Sequence, residues 1–208
     1  MVSKSQLAII LSKLKLFTTH SLHLEQYGTP SEIAADLLWQ VDFSDRNIAG
    51  KVVCDLGCGT GILGIGALIL GAKKVFFVDT DEEAISVLLE NIRTVEKQEG
   101  IKYSYEIVKG DVQNMTPIQA EVVVCNPPFG TKAKHADREF LGFATKCAPY
   151  VYSFHKTVTL DYLKDWCDAK NFDMIIITNY NFELKATQEF HTRKIHRIEV
   201  SSIRIKKY

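Results

Sequence analysis

A glycine-rich turn between a short apolar run and a helix-like stretch is the feature that most constrains the fold of this chain. Residues 51–56 (KVVCDL) have the composition of a buried parallel strand, and the glycines of residues 57–61 (GCGTG) follow directly. The next stretch, Ile62 to Leu70, suits a helix that ends before Gly71. A strand, a glycine-rich turn and a helix in this order indicate a doubly wound α/β fold with a ligand site at the turn.

The rest of the chain alternates strand-like and helix-like stretches, as expected of a mostly parallel sheet with helices on both faces. A chain of 208 residues, 46% of them hydrophobic, can build one sizeable core, so we expect a single domain over residues 1–208. We predict about seven strands with a final antiparallel hairpin. The predicted strands are residues 51–56, 74–78, 103–108, 121–125, 150–154, 174–178 and 195–205, and the predicted helices are residues 62–70, 81–97, 138–147 and 157–170.

Composition excludes several classes of protein. No stretch approaches the roughly 18 apolar residues of a membrane-spanning helix, and the N-terminal residues lack the cleavage site of a secretory signal. The five cysteines form no Cys-x-x-Cys pair, so neither a disulfide framework nor a metal site is indicated. The 25 Lys and Arg residues balance the 25 Asp and Glu residues, so a surface that binds nucleic acid must be local or shared with a partner. We expect a cytoplasmic protein without membrane association.

Carboxylates at the ends of three predicted strands indicate the cofactor. Asp55 precedes the glycines, where its charge attracts the cationic end of S-adenosylmethionine and repels the pyrophosphate of a dinucleotide. Asp79 can accept from both ribose hydroxyls, and Asp111 can accept from the adenine amino group. Since these strand ends meet at one edge of a parallel sheet, we predict an S-adenosylmethionine site there. Its predicted residues are Asp55, Gly57, Cys58, Gly59, Gly61, Leu63, Asp79, Thr80, Asp111, Val112 and Asn126.

The motif in residues 126–129 (NPPF) follows the fourth predicted strand and indicates the chemistry. Two consecutive prolines fix an extended backbone that aims the Asn126 side chain and the Pro127 carbonyl. These acceptors can hold an NH2 group, favour a tetrahedral nitrogen and point its lone pair at a sulfonium methyl. Phe129 can stack on a flat target. We therefore predict that Asn126, Pro127, Pro128 and Phe129 form the catalytic site of an amino-group methyltransferase.

The residues alone leave the target open. Phe129 and the basic loop after it favour a nucleobase over a protein glutamine side chain. Besides adenine N6 in RNA, adenine in DNA and guanine N2 in RNA present a similar amino group. A non-catalytic RNA- or partner-binding scaffold is disfavoured by the complete set of site residues, and a nicotinamide oxidoreductase by Asp55. The residues expected to contact substrate RNA are Lys132, Lys134, His191, Arg193 and Lys194.

Five motifs together resemble the methyltransferase-like-five family of class I S-adenosylmethionine-dependent methyltransferases. The motifs are residues 24–29 (LEQYGT), 55–61, 126–132 (NPPFGTK), 151–156 (VYSFHK) and Phe190-His191 with the basic stretch after it. The resemblance covers nearly the whole chain. It implies a Rossmann-like domain that methylates N6 of adenosine in small-subunit ribosomal RNA. It also implies a small zinc-containing activator protein that docks by strand pairing.

The same resemblance assigns a role to the N-terminal residues. It implies that Gln26, Tyr27 and Thr29 close over the cofactor, and that Gly28 replaces the proline usual in the family. Residues 1–30 are thus expected to form an N-terminal helix and cofactor-closing segment, and residues 31–208 the Rossmann-like core.

Overall fold

The computed structural model describes residues 2–16, 28–128, 136–184 and 196–208. Two helices, α1 (Lys4–Leu11) and α2 (Ser31–Asp45), precede an alternation of strands and helices. This alternation comprises β1 (Val52–Leu56), α3 (Ile62–Ile69), β2 (Lys74–Asp79), α4 (Glu82–Glu99), β3 (Tyr105–Lys109), β4 (Val122–Cys125), α5 (Ala136–Cys147) and β5 (Tyr150–Lys156). A 3-10 turn (Thr157–Thr159), α6 (Leu160–Asp168), β6 (Phe172–Leu184) and β7 (His196–Lys207) complete it.

These seven strands form one sheet in the order β3-β2-β1-β4-β5-β7-β6. Strands β1 to β5 are parallel, whereas β7 is antiparallel to both β5 and β6. The predicted fold class, a seven-stranded and mostly parallel sheet with a final antiparallel pair, is therefore confirmed. Because the parallel strands share one direction, the ends of β1 to β4 lie along one edge of the sheet.

Two hydrophobic clusters cover the two faces of the sheet. Alternate residues of the central strands point to opposite faces, so Val53 and Val124 pack in one cluster and Cys54 and Val123 in the other. The first cluster contains residues of α1 to α4, and the second contains residues of α5 and α6. In α1, Leu7 is fully buried, so this helix belongs to the first core.

The helix termini follow from local sequence. Asp81 caps α4 by accepting hydrogen bonds from the backbone N–H groups of Glu83 and Ala84. Gly100, in the left-handed conformation with φ of 69°, ends the same helix. Gly71 (φ 92°) follows the C-cap of α3, as its position in the sequence predicted.

The last strands differ most from the sequence-based expectation. β6 is 13 residues long rather than the five predicted for residues 174–178, and its register with β7 shifts between Ile176 and Thr178. The predicted helix over residues 157–170 is divided into the 3-10 turn and α6. Asn179 and Asn181 have low strand propensity, so the sequence did not predict a strand there. They adopt strand conformation because they pair with β7, which is distant in sequence.

Candidate active site

The glycine-rich turn joins β1 to α3 at the edge where the parallel strands end. Gly57, Gly59 and Gly61 have positive φ values of 69°, 53° and 91°, a conformation that favours glycine. The backbone N–H groups of Gly57 and Cys58 donate to the Val78 carbonyl at 2.8 and 2.9 Å. A Cβ atom on Gly61 would lie 2.2 Å from Leu88 Cδ1, so packing as well as conformation requires glycine there.

Asp55 lies in β1, two residues before Gly57 of this turn, and is 1% exposed. Its Oδ2 accepts a hydrogen bond from the backbone N–H of Gly64 at 2.7 Å. Burial raises the pKa of the Asp55 carboxyl to about 7, the Gly64 bond opposes this rise, and the charge of Asp79 adds to it. A cationic group close to Asp55 would favour the charged carboxylate, so the site suits the positively charged end of a ligand.

Asp79 ends β2 and is held in a fixed orientation. Its Oδ2 accepts the Gly59 backbone N–H at 2.7 Å, and its Oδ1 accepts the N–H groups of Thr80 and Asp81 at 2.8 and 3.0 Å. The carboxylate is half-buried, and a carboxylate offers about four lone-pair sites. It can therefore accept further hydrogen bonds from a ligand's hydroxyl groups.

Asp111 follows β3 on the same edge. Its carboxylate is exposed and accepts the backbone N–H of Gln113 at 2.9 Å, while Val112 beside it is half-buried. The N–H of Gly110 donates to the Asp79 carbonyl at 3.0 Å, which fixes the end of β3 against the end of β2. Asp55, Asp79 and Asp111 thus lie at or just after the ends of three adjacent strands, as the sequence predicted.

Asn126 follows β4 and has an asymmetric environment. Its Nδ2 donates to Thr29 Oγ1 at 2.9 Å, whereas its Oδ1 is buried and has no hydrogen-bond partner among the residues that the structure describes. Thr29 is 5% exposed and Pro127 is buried, whereas Pro128 is exposed. Buried oxygens nearly always accept a hydrogen bond, so Asn126 Oδ1 is oriented to accept one from a ligand.

A row of hydrogen-bonded side chains that begins at Cys125, next to Asn126, was not predicted from the sequence. Cys125 Sγ donates to Ser153 Oγ at 3.2 Å, and Ser153 Oγ lies 2.8 Å from His155 Nε2. Burial lowers the pKa of His155 to about 3, so its imidazole is neutral at physiological pH. In the sequence these residues look like ordinary buried strand residues. The contact between Cys125 and Ser153 forms only when β4 and β5 pair.

Asn91 is a second residue that sequence reasoning missed. Its Nδ2 donates to the carbonyls of Lys15 and Thr60 at 3.0 Å, and its Oδ1 accepts the Lys15 N–H at 2.8 Å. The side chain is 2% exposed. It therefore joins the chain after α1 to the glycine-rich turn. A polar residue at a buried position of the amphipathic α4 is the signal that could have identified it.

The remaining predicted residues fall into two groups. Cys58 is buried and Thr80 is exposed, whereas the side chain of Leu63 is 3% exposed and packs in the first core, so only its main chain could face a ligand. Eight predicted residues lie outside the described part of the chain, namely Gln26, Tyr27, Phe129, Lys132, Lys134, His191, Arg193 and Lys194.

These groups fit S-adenosylmethionine. The glycine-rich turn offers bare main chain, Asp55 offers an acid next to it, and Asp79 and Asp111 offer acceptors farther along the edge. Within the described ranges, no group of three or more His, Cys, Asp or Glu residues could hold a metal ion. No helix in that part of the chain is long and apolar enough to cross a membrane.

Comparisons with known proteins agree with this geometry. The sequence model of the ribosomal protein L11 methyltransferase (PrmA) family matches residues 39–127. The chain is 33% identical to the rRNA N(6)-adenosine-methyltransferase METTL5 of Danio rerio, over 96% of each protein. It is 31% identical to the enzyme of that name in Caenorhabditis elegans, over 95% of each.

A solved structure extends the comparison to the fold. The crystal structure of a candidate RNA methyltransferase from Pyrococcus horikoshii superposes with a TM-score of 0.82 and 38% identity, over 100% of this chain and 99% of that one. The resemblance stated from the motifs is thus confirmed over nearly the full length. The chain belongs to the S-adenosylmethionine-dependent methyltransferases, in the family of the rRNA N(6)-adenosine-methyltransferase METTL5.

Proposed function

We propose that this protein transfers the methyl group of S-adenosylmethionine to N6 of an adenosine in small-subunit ribosomal RNA. The observation that carries the proposal is the buried Oδ1 of Asn126, which accepts no hydrogen bond from the described part of the chain while Thr29 Oγ1 accepts one from the amide nitrogen. An amino group is the donor that this oxygen lacks. The relatives named above act on adenosine N6 in ribosomal RNA, which supports the choice of amine.

The chain's own residues act by holding and orienting the target amine. Asn126 Oδ1 accepts one N–H of the amino group, and the Pro127 carbonyl accepts the other. These bonds draw the nitrogen toward a tetrahedral geometry and free its lone pair. The cofactor supplies an electrophilic methyl group. No general base is needed before the transfer, because the product ammonium is acidic enough to lose its proton afterwards, and the neutral His155 is not assigned this role.

We assign the cofactor and RNA contacts to the predicted residues. In this proposal the glycine-rich turn with Asp55, Asp79 and Asp111 holds the cofactor, and Gln26, Tyr27 and Thr29 cover it. Phe129 stacks on the target base. The basic residues Lys132, Lys134, His191, Arg193 and Lys194 contact phosphates, which their charge supports.

We also propose that a small zinc-containing activator protein pairs with β3. This strand is at the end of the sheet order and pairs only with β2 in the described part of the chain. An unpaired strand edge can accept a strand from another chain. If the partner supplied part of the basic RNA-binding surface, this chain would need no excess of positive charge, in agreement with its formal net charge of zero. A cytoplasmic location forms part of the same proposal.

The test is methyl transfer from labelled S-adenosylmethionine to unmethylated small-subunit ribosomal RNA, with and without the activator, followed by digestion to nucleosides. We expect label in N6-methyladenosine, and a loss of roughly 100-fold or more in Asn126→Ala, since one lost transition-state hydrogen bond has effects of this size. Asn181→Ala is the matched control, because Asn181 is an exposed asparagine of β6.

The same test can also identify a protein as the substrate. The match to the ribosomal protein L11 methyltransferase family makes a protein the second class to test. If the label appears in a protein fraction and not in RNA, the RNA proposal is wrong and methylation of a protein amide takes its place. An Asn126→Ala variant with unchanged activity would contradict the catalytic assignment.

A further inference from the structure

A groove with a volume of about 630 Å³ lies beside α5, and Asn126, Pro127 and Pro128 do not line it. Its walls are α5, Trp166 near the end of α6, Phe172 at the start of β6 and Lys207 at the end of β7. Of the predicted cofactor residues that the structure describes, only Val112 reaches it. The groove is therefore a separate feature that adjoins the cofactor edge at one end.

The groove is locally basic in a chain of zero formal net charge. Arg138, Lys146, Lys170 and Lys207 line it, and Glu139 is the only carboxylate among the lining residues whose side chains the structure describes. Elsewhere cations such as Lys4, Lys74 and Arg204 form ion pairs. In the described ranges none of the four groove cations does so. Four positive charges in one groove attract a polyanion.

Two of these cations lie close to aromatic rings, one to Trp166 in the groove lining and one to Tyr162 outside it. Lys170 Nζ lies 5.6 Å from the centre of the Trp166 ring, and the Arg138 guanidinium lies 5.9 Å from that of Tyr162. Gly142 faces Trp166, where even a Cβ atom would lie 3.8 Å from the ring, so no side chain covers the indole from that side. A groove with cations that follow the backbone and aromatic surfaces between them is typical of sites for single-stranded nucleic acid.

The position of the groove connects it to the target site. α5 begins after residues 129–135, which follow Asn126-Pro127-Pro128, so Arg138 stands at the end nearest the methyl-transfer site. Val112 and Gln113 follow Asp111 at the same edge of the sheet. Lys207 is opposite Phe172 in the β6–β7 ladder, at the other edge. The groove thus runs along α5 from the catalytic edge to the opposite one.

We propose that this groove binds the sugar-phosphate backbone of a single-stranded RNA segment that flanks the target adenosine. The inference rests on the proposed function for the identity of the RNA, but the binding itself is measured separately from methyl transfer. Arg138, Lys146, Lys170 and Lys207 each contact phosphate, and Trp166 forms an apolar wall for the bases. The groove selects RNA by charge and shape, and the methyl-transfer site selects the base.

The test compares two variants with equal loss of charge. The groove variant carries R138Q, K146Q, K170Q and K207Q, and the control carries R93Q, K13Q, K73Q and K97Q. Arg93 and Lys97 lie on α4, whose buried residues pack in the other core. Binding of a fluorescein-labelled 20-nucleotide single-stranded RNA is measured by anisotropy over a series of KCl concentrations. Calorimetry with S-adenosylmethionine shows that each variant is folded.

We expect the groove variant to bind this RNA at least about tenfold more weakly at 0.1 M salt. The slope of log Kd against log[KCl] should fall by about 3, because each phosphate contact on a single strand contributes about 0.7. The control should keep the wild-type slope. An unchanged slope in the groove variant, or equal losses in both variants, would overturn the proposal.

Methyl transfer to ribosomal RNA by the same proteins separates the two proposals. If wild type methylates the RNA and the groove variant has normal affinity, the groove inference fails and the proposed function stands. If wild type does not methylate RNA but the groove variant loses affinity, the proposed function fails and the groove stands as an RNA site.

Discussion

A single hydrogen bond decides which way the amide of Asn126 faces. An asparagine side chain has two nearly isosteric ends, and only the oxygen can accept an N–H from the target amine. Thr29 Oγ1 accepts from Nδ2, so the oxygen is directed toward the site. Thr29 is itself one of the residues that the family resemblance places over the cofactor. If the proposed site is right, we expect the position of Thr29 to set the orientation of the Asn126 amide.

This link gives a prediction for Thr29. In Thr29→Val the hydroxyl is lost at nearly constant volume, so the amide can rotate and kcat for methyl transfer should fall about tenfold, the equivalent of roughly 1.4 kcal/mol. Thr29→Ser is the matched control and should keep most of the activity. Single-turnover kinetics give the rate, and calorimetry gives the Kd for S-adenosylmethionine.

The two measurements distinguish positioning of Asn126 from direct contact with the cofactor. A change in kcat with a nearly constant Kd supports the positioning role. A large rise in Kd with unchanged kcat would show instead that Thr29 acts on the cofactor alone.

Individual elements differ in how well the sequence predicted them. β1 and β2 were placed within one residue at each end, because buried parallel strands are short, apolar and bounded by glycines or acids. β6 was predicted too short, since its pairing with β7 compensates for residues of low strand propensity. The acids and Asn126 were found because they lie at or just after the ends of strands. The Cys125–Ser153 contact and the contacts of Asn91 were missed, because their partners are distant in sequence.

The exposed edge of β3 makes the partner proposal testable at the level of one strand. Val75 N–H donates to Ser104 O and Gly110 N–H to Asp79 O, so the even-numbered residues of β3 pair with β2. The N–H of Ile107 therefore points to the free edge. In Ile107→Pro this donor is lost and the β2 ladder is kept, so the affinity for the zinc-containing activator should fall at least about tenfold.

Ile107→Ala is the matched control, because it shortens the side chain and keeps the N–H. Co-expression with the activator and size-exclusion chromatography should give a complex with Ile107→Ala and none with Ile107→Pro. Equal complex formation by both variants would show that the partner does not pair with this edge.

At the scale of the whole molecule, residues 1–30 and 31–208 are proposed to act as one domain. Leu7 and Leu11 of α1 are buried in the same cluster as Leu37 of α2 and Leu68 of α3. A shared core of this kind favours a single cooperative unfolding transition. The free energy of that transition then reports on buried groups throughout the chain, including two whose pKa values are shifted in opposite directions.

Asp55 and His155 affect the global stability in opposite ways. Asp55 keeps its proton to about pH 7 in the folded chain but has an ordinary pKa of 3.8, so the free energy of unfolding falls as pH rises from about 4 to 7. His155 has a pKa of about 3 in the folded chain and an ordinary value of 6.5, so between these values the unfolded chain binds a proton that the folded chain does not. The free energy of unfolding therefore rises as pH increases from about 3 to 6.5. Between about pH 4 and 6.5 the two contributions offset each other.

Single substitutions should reveal each contribution. Relative to wild type, the free energy of unfolding of Asp55→Asn should rise with pH by roughly 1 kcal/mol per pH unit between pH 4.5 and 6, because only the His155 effect remains. His155→Gln should show the opposite slope, and the double variant should parallel wild type. Urea denaturation of the cofactor-free protein at four pH values measures all three. Parallel profiles for both single variants would show that neither group has a shifted pKa in the folded chain.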